Sequence, residues 1–230
     1  MIDEIENIVS LRNVSKSYRI NEHSSVGVKD INFTANPGEL VLFLGPSGSG
    51  KTTLLTLMAG LLHPSQGSIC LFQKEINTYS SVELQRLRAE KIGFIFQTFL
   101  LIDALTALQN IELVLKFSSK SKREAKRIAK NLLKEFQIEY LADKLPGTMS
   151  QGEKQRVAVA RAIANNAELI LADEPTASLD AANGSVVIEL LNIYAKKNNK
   201  CVIVVSHDLR IKEYADRIIY LEDGKIANDH

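Results

Sequence analysis

The segment GPSGSGKTT, Gly45 to Thr53, contains the spacing G-x-x-x-x-G-K-[ST] between an apolar run that reads as a strand and one that reads as a helix. Glycines at those places let the backbone curl until successive N–H groups face the oxygens of a phosphate. The following helix adds the positive end of its dipole. Lys51 is then spaced to reach the β- and γ-phosphates, and Thr52 to ligate Mg²⁺. A glycine-rich turn between strand and helix is the bland alternative.

A second group of oxygens closes the run LILADEP, Leu169 to Pro175. Neighbouring residues on an extended chain point to opposite sides, so Asp173 and Glu174 should do different work. Beside a phosphate loop, Asp173 suits a Mg²⁺ ion and Glu174 suits the orientation or deprotonation of attacking water. Two solvated acids before a proline turn would look the same in isolation. Gln97 follows the strand IGFIF and His207 follows CVIVVS, both at the carboxyl ends where open α/β sheets place ligand contacts. Either could reach a phosphate or the water, or be a solvated polar end. Tyr18 could stack on a base or simply pack.

The stretch TMSQGEKQR adds another chemistry. Ser150 and Glu153 have the S-x-x-E spacing of a capping box. The same serine, with Gly152 and the free N–H groups of a helix start, is also a ready anion site. The two readings are compatible. A carboxylate placed at Gly152 should disturb an arriving phosphate while leaving the Ser150–Glu153 cap, and hence stability, largely intact.

These groups need a frame. A chain of 230 residues, 45% hydrophobic and 24% charged, is enough for one large core, with room for a subdomain. Its net charge of +1 gives no overall reason to expect nucleic acid. Cys70 and Cys201 lie far apart in apolar runs, which suggests buried free thiols and a reducing cytoplasm. The acidic opening MIDEIENIVS is unlike a signal peptide, and no apolar run reaches the roughly 18 residues of a membrane span. Residues 8 to 35 read as β runs parted by NEHSS, with a turn at 36 to 38. TTLLTLMAGLL reads as a helix, SICLF as a strand, SSVELQRLRAEK as a helix and IGFIF as a strand. Ala125, Ile128, Ala129, Leu132, Leu133 and Phe136 recur at helical spacing behind a capping-box pattern, Ser121 and Glu124. Strand and helix then alternate to a hairpin at Asp223-Gly224, with a short helix near 209 to 215. A largely parallel sheet follows, with an N-terminal β part and a helical insertion near 98 to 148. The basic stretch 116 to 134 reads as a solvated helix face or a contact for an anionic membrane surface. FLLI at 99 to 102 reads as core or as a docking patch.

Taken in order, Tyr18, GPSGSGKTT, Gln97, MSQGEKQR, LILADEP, SLD at 178 to 180 and His207 resemble the ATP-binding subunit of ABC transporters over nearly the whole chain. SSVELQRLRAEKIGFIFQ and LTALQNIEL are most similar to its lipoprotein-releasing, macrolide-efflux and cell-division subgroup. The resemblance implies an α/β P-loop NTPase: a RecA-like core, an antiparallel β subdomain and a helical subdomain bearing the signature, all in one domain spanning 1 to 230. It implies that ATP and Mg²⁺ are bound. Tyr18 would meet adenine, and Gly45, Pro46, Ser47, Gly48, Ser49, Gly50, Lys51, Thr52 and Thr53 the phosphates and metal. Gln97 and Asp173 would share the Mg²⁺, Glu174 would be the general base, and His207 would contact the γ-phosphate. Ser150 and Gly152 would bind the γ-phosphate of a second copy, with Asp180 at the interface, making a homodimer around two ATP molecules. The family usually has Leu-Ser-Gly-Gly-Gln where this chain has MSQGE, so Gln151 and Glu153 depart from it. An integral membrane permease is the implied partner, on the inner face of the cell membrane, with export or lipoprotein release as the implied work. A non-transporting regulator of a membrane partner shares the same motifs. A DNA-repair ATPase of related fold would need a long coiled-coil insertion between loop and signature.

Overall fold

A computed structural model describes residues 7–20, 23–117 and 120–229; the side chains of residues 19, 20, 23 and 24 lie outside the description. The expected turn at NEHSS falls partly on Asn21 and Glu22, which are also outside it. In chain order the elements are β1 (Val9–Ile20), β2 (His23–Ala35), β3 (Leu40–Leu44), α1 (Lys51–Met58), β4 (Gln66–Leu71) and β5 (Lys74–Glu75). Next come α2 (Ser81–Lys91), β6 (Ile92–Ile95), α3 (Ala107–Leu115), α4 (Lys122–Glu135), α5 (Gln151–Ile163) and β7 (Leu169–Asp173). The last are α6 (Ala181–Asn198), β8 (Cys201–Ser206), β9 (Arg217–Glu222) and β10 (Lys225–Asp229).

Two sheets result. An antiparallel one has the order β2-β1-β4-β5, and a larger one has the order β10-β9-β3-β8-β7-β6. In the larger sheet β9, β3, β8, β7 and β6 run parallel, and β10 returns antiparallel to β9. The central strand β3 is LVLFL with every residue buried. Leu40, Leu42 and Leu44 join a core shared with α3, α4, α5 and α6, while Val41 and Phe43 join a second core with α1 and the antiparallel sheet. Being covered on both faces explains why this strand shows no alternation.

The phosphate-loop helix is shorter than TTLLTLMAGLL suggests. It stops at Met58, with Ala59 as its C-cap and Gly60 at φ 61°, so Leu61 leaves the helix and is half exposed. A left-handed residue just past the last turn ends a helix, and glycine takes that conformation without cost. The segment expected to be a short helix near 209 to 215 is a 3₁₀ stretch, Leu209–Tyr214.

In the helical part, Ala125, Ala129 and Leu133 give α4 its buried face against α3 and α5. Ser121 caps α4 by accepting from the Glu124 N–H at 3.3 Å. Buried Asn110 of α3 accepts from the Ile102 N–H and donates to the carbonyls of Ile102, Leu105 and Thr106, which fixes the loop leading into the helix. Arg161 of α5 donates to the carbonyls of Phe99 and Leu100, both of which have positive φ.

Candidate functional site

The turn from β3 into α1 is shaped by two close approaches. A Cβ on Gly45 would lie 2.2 Å from the carbonyl oxygen of Leu221, and one on Gly50 would lie 2.2 Å from that of Gly27. Gly50 also has φ 100°, so a side chain is excluded there both by contact and by conformation. Of the six α-helices described, α1 alone starts without a side-chain cap, whereas Ser80, Thr106, Ser121, Ser150 and Asp180 cap the others. Its first turn holds no acid either. The uncapped N–H groups and the dipole of α1 therefore face the loop, ready for an anion.

Lys51 folds back over this loop and donates to the carbonyls of Gly45 at 2.8 Å and Pro46 at 2.9 Å. Only 7% of it is exposed, and its ammonium lies 3.8 Å from Glu174 Oε1. Two carbonyls and one distant carboxylate are a thin shell for a buried cation, and a phosphate would complete it. Next to it, the Thr52 hydroxyl donates to Asp173 at 3.2 and 3.1 Å to the two carboxylate oxygens. Burial pushes the Asp173 carboxyl above its ordinary value, against the Thr52 hydrogen bond; the charge of Glu174 adds to the rise and Lys51 opposes it. A hydroxyl and a carboxylate at one point suit a hard cation. Among the described residues no group of three His, Cys, Asp or Glu side chains could form a metal cage. That is the donor set Mg²⁺ uses when phosphates and water supply its remaining ligands.

Asp173 and Glu174 do separate, though not by strand alternation alone. Asp173 remains in β7, in register with Val205 of β8, while Glu174 has left the strand at φ 47°. Its N–H still donates to Val205 O at 2.9 Å, so the left-handed turn is held by the sheet edge. The turn sends the Glu174 carboxylate toward the end of β8, where Oε2 accepts from Ser206 Oγ at 3.1 Å and the His207 N–H at 3.3 Å. The His207 ring nitrogen Nδ1 is 3.0 Å from the same oxygen. A non-glycine residue held at positive φ stores strain, and here the strain aims a carboxylate.

The loop, Tyr18, Gln97, Glu174 and His207 border one cavity of about 430 Å³, whose lining includes neither Asp173 nor Ser206. Tyr18 closes one side: its hydroxyl is 3.2 Å from Thr53 Oγ1, and a Cβ on Gly27 would come within 2.7 Å of its ring. Gln97, two residues past β6, is exposed at the cavity edge.

Ser150, Gly152 and Asp180 are not among the residues lining this cavity. They form a second cluster instead. Ser150 and Glu153 make the full reciprocal box, with Glu153 N–H to Ser150 Oγ at 3.3 Å and Ser150 N–H to Glu153 Oε2 at 2.7 Å. The backbone bond from Ser150 holds the Glu153 carboxyl below its usual range. Gly152 is buried, and a Cβ there would lie 2.7 Å from the Asn183 side-chain oxygen. Asn183 is itself tied to Asp180, the cap of α6, through its N–H at 2.9 Å and its amide at 2.7 Å. A side chain at 152 would thus meet Asn183 of its own chain before any partner, which corrects the expectation that it would leave stability largely intact.

Four residues of these clusters escape the sequence reading. Ser206 is visible only as the last residue of an apolar run. Asn183 sits three residues after Asp180, a capping distance. Gly27 has no local signal. Gln155 is a lone amide on an apolar helix face, fully buried, donating to Pro175 O at 2.8 Å and so tying α5 to the residue after Glu174.

The family model described as ABC transporter matches residues 28–177. The chain is 40% identical over 226 residues to an uncharacterized ABC transporter ATP-binding protein, MJ0796, of Methanocaldococcus jannaschii, covering 96% of each. A dimeric structure of that cassette in a post-hydrolysis state bound to ADP and Pi superposes with a TM-score of 0.90, at 40% identity, over 96% of this chain and 97% of that one. The putative hemin import ATP-binding protein HrtA of Staphylococcus haemolyticus is 40% identical over 223 residues, covering 95% of this chain and 98% of its own. The macrolide export ATP-binding/permease protein MacB of Campylobacter jejuni is 37% identical over 222 residues, covering 96% of this chain and 34% of its own.

Proposed function

The chain belongs to the ABC transporter family as an ATP-binding, ATP-hydrolysing subunit, and from that premise we propose that it drives a separate integral membrane subunit by pairing head to tail with a second copy around ATP, in export or lipoprotein release. The observation that carries the pairing is the separation of the two clusters. The loop, Glu174 and His207 share one cavity, while Ser150, Gly152 and Asp180 lie off it. A hydrolytic site built from both groups needs two chains. The dimeric cassette of the archaeal relative supports this.

In the proposed chemistry the N–H groups of Gly45 to Thr53 cradle the phosphates, with Tyr18 against the adenine. Lys51 exchanges carbonyl partners for the β- and γ-phosphates. Thr52 and Asp173, with Gln97, would hold Mg²⁺, which would neutralise phosphate charge. Glu174 orients water for in-line attack and takes its proton, and His207 donates to a γ-phosphate oxygen. The loop N–H groups stand in place beforehand, so little reorganisation of the cradle is needed as charge develops. Ser150 and Gly152 meet the γ-phosphate of the partner copy.

For the membrane subunit we assign the apolar cavity of about 410 Å³ beside Gln97, whose lining includes the exposed side chains of Leu100, Ile102 and Phe117. No helix among the described residues is long and apolar enough to cross a membrane. A separate membrane subunit would place the chain peripherally, on the inner face of the cell membrane. The subgroup motifs and likeness to the macrolide export protein support export, while the hemin import relative points the other way. Co-purification with the native membrane fraction, followed by nucleotide-dependent crosslinking between Ser150 and Ser47 cysteine variants of two copies, tests the proposal. Crosslinks formed only with ATP support it, and crosslinks independent of ATP, or none, overturn it.

A further inference from the structure

Helix α4 carries Lys122, Lys126, Lys130 and Lys134 at successive i,i+4 positions, with Arg123 and Arg127 on the neighbouring line. All six are exposed. None of the ion pairs among the described residues includes any of them. The wider run 116 to 134 holds 8 of the chain's 28 basic residues and 1 of its 27 acidic ones, leaving 20 basic and 26 acidic residues elsewhere. A chain that is nearly neutral overall is therefore strongly polarised.

Helix stability does not account for this placement. Like charges at i,i+4 repel by a few tenths of a kcal/mol per pair. Lys122 and Arg123 stand in the first turn beside its one acid, Glu124, although the dipole favours acids there, and of the six only Lys134 stands in the last turn, where it favours a cation. Solubility is served by mixing the two signs rather than by sorting them. The opposite face of the helix is already committed, since Ala125, Ala129 and Leu133 are buried. Among the described residues the cationic face thus has no ion-pair partner. At the start of the run Phe117 stands 67% exposed between Lys116 and Lys120, an aromatic among cations as at a lipid headgroup boundary.

We propose that the outer face of α4, with Phe117, is a docking surface for an anionic lipid bilayer. Charge complementarity carries the choice: clustered lysines on one helix face meet a surface of dense negative charge, each contributing independently. The six cations of α4 lie off the apolar cavity assigned to the membrane subunit, with Phe117 bordering both, and contact with lipid would add to that attachment rather than replace it.

The test is sedimentation of the purified protein with vesicles of phosphatidylglycerol mixed with phosphatidylcholine, compared with phosphatidylcholine alone. Wild type is expected to bind only the anionic vesicles, and binding should fall as salt is raised. Changing Lys122, Lys126, Lys130 and Lys134 to Gln should weaken partitioning by about fivefold per lysine, hence by about 600-fold. Vesicle-free ATPase activity should be unchanged, which also reports that the variant is folded. The pair Arg123→Gln and Arg127→Gln, on the second line, should weaken binding by a smaller factor and provides a check if the quadruple variant does not fold. Equal binding to neutral vesicles, unchanged partitioning of the variants, or binding of a duplex oligonucleotide with none to anionic vesicles would each overturn the proposal.

Discussion

His207 places its ring Nδ1 3.0 Å from Glu174 Oε2, the same oxygen that accepts from Ser206 Oγ and from the His207 N–H. Two donors from the end of β8, the Ser206 hydroxyl and the His207 N–H, thus converge on one carboxylate oxygen with the His207 ring beside them, and Lys51 lies 3.8 Å from the other. Glu174 is 12% exposed and His207 is 59% exposed, so the acid is held from the protein side while the imidazole remains open to the cavity. The Glu174 carboxylate is oriented by the fold itself.

Glu174→Gln keeps the shape and can still accept from Ser206, but cannot take a proton. Turnover should fall by about 10² to 10⁴, with Mg-ATP affinity near wild type and ATP-bound dimers accumulating. Steady-state hydrolysis and size-exclusion chromatography with ATP check this. Near-normal turnover would remove Glu174 from the role of base.

Ser206→Ala tests positioning rather than chemistry. Losing one hydrogen bond to an ionised acceptor costs about 1.5 to 3 kcal/mol at most, so kcat should drop by about tenfold or more while KM for ATP stays put. In a Glu174→Gln background the same change should cost much less, because residues acting through one group are not additive. An equal loss in both backgrounds would show that Ser206 does not act through Glu174.

Tyr18→Ala should weaken ATP binding by about 0.5 to 1.5 kcal/mol if the ring stacks on adenine. Tyr18→Phe, which loses only the contact with Thr53, should retain most of the affinity. A folded alanine variant with unchanged nucleotide affinity would reduce Tyr18 to packing.

Asp173→Asn separates stability from function. Burial raises the Asp173 carboxyl value in the folded chain, so the folded state takes up its proton more readily than the unfolded state. This acid therefore opposes folding at neutral pH, and the penalty is relieved as pH falls through the raised folded value. Without nucleotide and metal, the asparagine variant should melt at the wild-type temperature or a few degrees above it at neutral pH, at about 2 to 4 °C per kcal/mol. The difference should shrink in acid, and Mg-dependent turnover should be lost. A variant that melts lower at neutral pH would contradict the account.

Gln151→Asp is the cleaner probe of the signature cluster, since Gly152 is packed on Asn183 while Gln151 is exposed. An acid in the first turn of α5 is favourable within its own chain by about 0.3 to 1 kcal/mol. Across a dimer it would face the partner's γ-phosphate. Melting temperature and monomer ATP affinity should hold, and ATP-dependent dimerisation should weaken by an order of magnitude or more. Unimpaired dimerisation would leave MSQGE as a helix cap alone.

The sequence by itself determined the loop, the strand ends and the caps, because each is a local device. Gly45 to Thr52 needs only spacing, the run LILAD needs only apolarity and length, and Ser150 with Glu153 needs only an interval of three. It also determined the α/β order, since strands buried on both faces are continuous apolar runs. Tertiary structure decided what depends on residues distant in the chain. Ser206 reaches Glu174 because β7 and β8 are neighbours, and Gly27 abuts Tyr18 because two antiparallel strands bring them together. Gly152 meets Asn183 because α5 packs beside α6. The end of α1 at Met58 was hidden by leucines that continue the helical pattern past Gly60. Local patterns report backbone preference and burial; which oxygen faces which donor is set by sheet order and helix packing, which no interval along the chain encodes.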